Sequence, residues 1–166
     1  MPPSATPTAA QPLAPPPTLA VVHTHGAYSL VTAEPVTAGR LLFTLEGELT
    51  PRPSRYSVQV GRDLHIDVPQ PTSFEVMTRQ YPWRFMNHSC EPSARIEGRT
   101  VIALREIPTG EQITFNYNTT EWELAEAFTC HCGSAGCQGE IRGYRFLSPQ
   151  ASTRLSPTAA DHLTQR

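Results

Sequence analysis

Apolar positions in this chain come in short runs of four or five residues, at alternate positions or continuously, and rarely at helical spacing. Residues 19–23 (Leu-Ala-Val-Val-His), 28–31 (Tyr-Ser-Leu-Val) and 41–45 (Leu-Leu-Phe-Thr-Leu) are of this kind, punctuated by Gly26 and Ala38-Gly39. Runs of that length between turn residues predict strands. Residues 56–60 and 64–68 alternate around Gly61-Arg62-Asp63 and predict a hairpin. Residues 94–96 and 101–104 flank Glu97-Gly98-Arg99 and predict another. A further strand is predicted over 113–117, opened by Pro108-Thr109-Gly110. One short helix is predicted over 120–127, where Thr120 and Glu123 fit a capping box. No repeat, no strand–helix alternation and no Gly-x-Gly-x-x-Gly is visible, which argues against a doubly wound nucleotide-binding fold. The pattern describes a mainly β domain with irregular connections.

Composition narrows where that domain lies. The chain has 166 residues, of which 39% are hydrophobic, below the usual apolar share of a compact domain. Much of the deficit falls in residues 1–18, with seven prolines and no charged side chain. Too little apolar surface is available there to offset the entropy of ordering, so a disordered Pro-rich tail is predicted. The stretch has neither the charged start nor the continuous apolar run of a secretory leader, and no segment reaches membrane-spanning length. An intracellular location is expected. Residues 148–166 turn polar again and read as a second, flexible tail.

Charge removes another class. The formal net charge is −2 and no basic run exists, so direct nucleic-acid binding is not expected. All thirteen basic residues are arginine. Between Glu106 and Ile141 the chain carries six acids and no arginine, either a solvated surface or the wall of a groove for a basic peptide.

The four cysteines are Cys90, Cys130, Cys132 and Cys137. Disulfides are one reading, but Cys130-x-Cys132 makes an awkward pair to oxidise and no secretion signal is present. Four thiolates around one tetrahedral zinc rank first. Three come from a single loop that Gly133 and Gly136 allow to curl, and Cys90 is the remaining candidate for the fourth.

Three stretches then fit one another in order: Arg84-Phe85-Met86-Asn87-His88-Ser89-Cys90, Gly110-Glu111-Gln112-Ile113-Thr114-Phe115-Asn116-Tyr117, and Cys130-His131-Cys132-Gly133-Ser134-Ala135-Gly136-Cys137. Together they resemble a SET domain followed by a post-SET zinc motif, as in protein lysine methyltransferases. The resemblance covers about residues 19–143. It implies a SET fold of several small sheets with a pseudoknot-like crossing, a SET domain over 19–120 and a zinc-binding segment over 121–143. It further implies S-adenosylmethionine as cosubstrate, structural zinc on the four cysteines, and a monomer acting on a basic, lysine-containing protein or peptide.

By the same resemblance Tyr117 is the catalytic residue, orienting the lysine amine without acting as a strong base. Phe115 and Tyr56 would line the substrate channel, with Trp83 a further candidate. Phe115, in place of a tyrosine, implies di- or trimethylation. Ala27, Tyr28, Asn87, His88 and His131 would contact the cofactor, His88 largely through its backbone. The family usually has a Gly-x-Gly-like turn near the N-terminus, whereas this chain reads His25-Gly26-Ala27-Tyr28-Ser29, with Ala27 and Ser29 for glycines. That departure keeps open an alternative, a catalytically inactive SET-like peptide-binding module.

Overall fold

The computed structural model describes residues 14–166, so the Pro-rich segment read from sequence as disordered lies mostly outside the described residues. Its last part is paired: the Pro15 carbonyl accepts from the Arg40 guanidinium, and the Thr18 amide donates to Glu34.

Among the described residues, twelve short strands form five small sheets. β1 (Leu19–Thr24) and β2 (Ala27–Thr32) make a hairpin closed by His25 and Gly26, both at positive φ. A two-residue turn of type I′ has that conformation at both central positions, which glycine adopts at no steric cost. β3 (Leu41–Thr44) pairs with β9 (Thr100–Ala103), and β9 with β8 (Ala94–Glu97). β4 (Glu48–Thr50), β6 (Leu64–Asp67) and β5 (Val58–Gly61) form the third sheet. β7 (Asn87–His88) runs parallel to β10 (Thr114–Phe115), and β11 (Phe128–Thr129) pairs with β12 (Glu140–Ile141). Leu30, Leu42, Ile66 and Val101 on the strands, and Leu45 and Ile113 immediately beside them, are fully buried in one core. The parallel β7–β10 pair is the pseudoknot-like crossing. It joins segments distant in sequence at the centre of the molecule.

Two expectations are corrected. Residues 120–127 form no helix, because their carbonyls are engaged elsewhere. Glu121 and Trp122 carbonyls accept from the Tyr144 and Arg145 amides, and the Leu124 amide donates to the Arg142 carbonyl. The helices lie at α1 (Phe74–Gln80), capped by the Ser73 hydroxyl, and beyond residue 147. The C-terminal stretch expected to be flexible forms α2 (Pro149–Leu155) and α3 (Asp161–Thr164). Ser148 caps α2, with Pro149 at its first position, a pairing that favours helix initiation. Ala151 and Leu163 are buried, and the Ala160 amide donates to the Thr119 carbonyl. Few apolar residues suffice to dock this segment because the backbone shares the work. Among the described residues, no helix is long and apolar enough to cross a membrane.

Candidate active site and metal centre

Pro82 opens a single 3₁₀ turn over Pro82–Phe85, which buries Trp83 and Phe85 and delivers Met86 in extended conformation into β7. Asn87 then donates from Nδ2 towards the Tyr28 carbonyl (3.2 Å), Ser29 Oγ (3.1 Å) and Gln112 Oε1 (3.1 Å). The carboxamide is thereby fixed, with Oδ1 left to accept from a ligand.

His88 lies between two other parts of the site. Its Nδ1 accepts from the Tyr117 amide (3.1 Å), and its Nε2 is 3.3 Å from Cys90 Sγ. Burial pushes its pKa down to about 4, so the ring is neutral at physiological pH. With Nδ1 occupied as acceptor, the proton sits on Nε2 and points at the Cys90 sulfur. The imidazole, and not only the backbone, therefore ties the cysteine cluster to the tyrosine.

Tyr117 follows β10 and turns inward. Its hydroxyl donates to the Met86 carbonyl (2.8 Å), which joins the two crossing segments. Its ring lies 4.7 Å from Phe115, 5.2 Å from His88 and 5.9 Å from Phe128, measured between centroids. Burial raises the hydroxyl's pKa, so the group stays protonated.

Two cavities meet at this side chain. A narrow one, about 40 Å³, is bounded by Tyr56, Arg84, Met86, Phe115, Tyr117 and Glu121. An open one of about 500 Å³ is bounded by Asn87, His88, Tyr117, Phe128 and His131. Its volume suits a nucleoside-sized ligand. The free Asn87 acceptor and the aromatic Phe128 also fit S-adenosylmethionine. Phe115 and the buried Trp83 border the narrow cavity, and Tyr56 borders both. Ala27 and Tyr28 line neither cavity, and Tyr28 reaches the site only through its carbonyl. Phe128 was missed in the sequence, although its place two residues before Cys130 at the head of the metal loop was a usable signal.

The four cysteine sulfurs all lie within 4.8 Å of one another. Cys90 and Cys130 are 3.9 Å apart, far beyond a disulfide bond. Tetrahedral zinc with bonds of about 2.3 Å separates its sulfurs by about 3.8 Å. Backbone amides of Cys132 and Gln138 donate to Cys130 and Cys90 sulfurs at 3.4 Å, the arrangement thiolates require. The donor set fits zinc.

A second cluster was not visible in sequence. The Glu121 carboxylate accepts from the Gln59 amide (2.7 Å) and Thr120 Oγ1 (3.2 Å), and lies 3.7 Å from His65 Nε2. His65 Nδ1 is buried without a partner. Burial raises the Glu121 carboxyl from 4.5 to about 7 and lowers His65, so the pair favours its neutral forms. A raised carboxyl stabilises the fold below pH 4.5, a contribution lost as pH rises through about 7. Relative to Glu121→Gln, the wild type should lose about 2–3 kcal/mol between pH 4.5 and 8. Urea denaturation of both proteins at several pH values checks this; parallel pH curves would contradict it.

The acidic stretch is mostly neutralised. Glu111 pairs with Arg105, Glu123 with Arg145 (2.6 Å) and Glu126 with Arg55 (3.7 Å), while Glu121 is interior. Of the two readings offered by the sequence, an ordinary paired surface fits better than the wall of a basic-peptide groove.

Comparison with known proteins identifies the family. The SET domain family profile matches residues 27–118. The chain is 32% identical over 151 residues to Methyltransferase flvH of Aspergillus flavus, covering 87% of this chain and 77% of that protein. It is 28% identical to the Histone-lysine N-methyltransferase, H3 lysine-36 specific, of Yarrowia lipolytica, over 84% of this chain but 20% of that protein. The crystal structure of KRYPTONITE in complex with mCHG DNA and SAH superposes with a TM-score of 0.54 at 19% identity, covering 75% of this chain and 29% of that one. The chain belongs to the SET-domain family.

Proposed function

We propose that this SET-domain methyltransferase transfers two or three methyl groups from S-adenosylmethionine to one lysine side chain of a protein substrate. The observation that carries the reading is the position of Tyr117, where the wide cavity meets the narrow one. S-adenosylmethionine, when bound, supplies a methyl group on a sulfonium. The chain's own residues do the rest. Asn87, His88, Phe128 and His131 bound the wide side, with Asn87 Oδ1 free to accept. The narrow side takes an unbranched chain and strips water from its amine. Desolvation lowers a lysine pKa from about 10.4 and favours the neutral, nucleophilic form. The Tyr117 oxygen and the Met86 carbonyl accept from the amine and aim its lone pair; this is catalysis by positioning.

Phe115, nearly fully buried beside Tyr117, sets the product. Its ring has no hydroxyl to hold a water or crowd a methylated amine, so the amine can rotate and react again. Mass spectrometry of a methylated peptide should show di- or trimethyl-lysine for the wild type. Phe115→Tyr should shift product mostly to monomethyl-lysine. A wild type that stops at one methyl group would sink the assignment.

A further inference from the structure

Resting on the lysine-methylation reading, the geometry points to a substrate class: we infer that Arg84 and Arg55 select a lysine flanked by aspartate or glutamate. Both arginines border the narrow cavity. Its exposed end is marked by Tyr56, 45% exposed, and by Arg55. The Arg84 Cζ lies over the Tyr56 ring, 3.1 Å from its centroid, and the residue is half-buried. The cation–π contact restrains the guanidinium, whose N–H donors suit a carboxylate.

Neighbouring carboxylates do not pair with it, although Asp67 lies close enough to act on it electrostatically. Among the described residues Arg84 forms no ion pair. Asp67 is occupied by Ser54 Oγ (2.6 Å) and by the Val68 amide (2.7 Å). Glu121 and Glu126 border the same cavity, but Glu121 is bound by Gln59 and lies beside His65, and Glu126 engages Arg55 through a loose contact between exposed side chains. A basic residue beside the target lysine would meet these cations, whereas an acidic one gains a charge-assisted, bidentate partner. A basic peptide, the partner the resemblance implied, is therefore disfavoured at the positions next to the lysine.

The test uses the zinc-loaded full chain with a saturating amount of S-adenosylhomocysteine for binding and S-adenosylmethionine for turnover. Fluorescent peptides carry one lysine flanked on both sides by Glu, Ala or Arg. The Glu-flanked peptide should bind, and show kcat/KM, about tenfold above the Ala-flanked one, with Arg-flanked weakest. In Arg84→Gln the Glu-to-Ala ratio should fall towards one, while Arg84→Lys keeps part of it. The ratio is internal to each variant, so lower overall activity does not obscure it. Should Arg84→Gln fail to fold, Arg55→Gln and 0.5 M salt should each shrink the wild-type ratio. Equal or better use of Arg-flanked peptides, a ratio untouched by Arg84→Gln, or no binding to any peptide would overturn the inference. Preferential binding without methyl transfer would uphold the inference and defeat the activity reading.

Discussion

Cys90→Ser should cost the protein both its metal and its cofactor affinity while leaving the sheet core folded. Cys90 stands at the end of the Asn-His segment, forty residues before the first of the other three ligands, so of the four it is the one that ties the metal loop to the central crossing. Structural zinc sites contribute on the order of 10 kcal/mol to the fold of the segment they hold. Removing one thiolate leaves three ligands on a loop whose own secondary structure is the two-residue β11–β12 pair. Phe128, His131 and the Cys130 turn bound the wide cavity and would lose their fixed place. The His88 Nε2–H would also lose its sulfur acceptor. We expect bound zinc to fall from one per chain to well below one by metal analysis. S-adenosylmethionine affinity should drop at least a hundredfold by calorimetry. Leu30, Leu42, Val101 and Ile113 belong to a core cluster that includes no residue of this loop, so the far-ultraviolet spectrum and a cooperative melt should persist. Chelation of the wild type should reproduce the variant. Unchanged cofactor affinity in a zinc-free protein would refute the bracing role.

How much of this was legible beforehand follows the range of the interactions. The hairpins were readable because their determinants are local: Gly61-Arg62-Asp63 and Glu97-Gly98-Arg99 fix the turns, and alternation fixes the faces. The cysteine cluster was readable because metal geometry demands a spacing that few other chemistries share. The capping-box helix failed for the opposite reason. Thr120 and Glu123 satisfy a local rule, but Gln59, Arg142, Tyr144 and Arg145 supply closer partners from distant sequence. Gly143 shows how tight that packing is, since a Cβ there would lie 2.6 Å from the Trp122 carbonyl oxygen. The Glu121–His65 pair and the Arg84–Tyr56 contact join residues 56 and 28 positions apart, and no local pattern announces either. The docked C-terminal helices did carry a local signal, Ser148-Pro149, which a polar composition concealed.

Tyr117→Phe should lower kcat by about 10²- to 10³-fold with little change in cofactor affinity, the size of effect seen when one preorganised polar contact to a reacting group is removed. The substitution deletes only an oxygen. The ring keeps its contacts with Phe115, His88 and Phe128, and the bond to His88 Nδ1 comes from the backbone amide. What disappears is the hydroxyl between the Met86 carbonyl and the amine's path, so stability should fall by only about 1 kcal/mol. The amine would still enter a desolvated cavity, but its lone pair would no longer be aimed at the methyl group. Single-turnover mass spectrometry should therefore show the slow step in methyl transfer. Calorimetry with S-adenosylmethionine should give a value within about twofold of wild type, because the wide cavity retains Asn87, His88 and His131. The rate should rise with pH in both proteins, since the substrate amine, not the protonated Tyr117 hydroxyl, is the titrating group. A variant with wild-type kcat would remove Tyr117 from the chemistry and leave it as the hydrogen-bonded pin of the crossing. A rate loss accompanied by an equal loss of cofactor affinity would point to the same structural role.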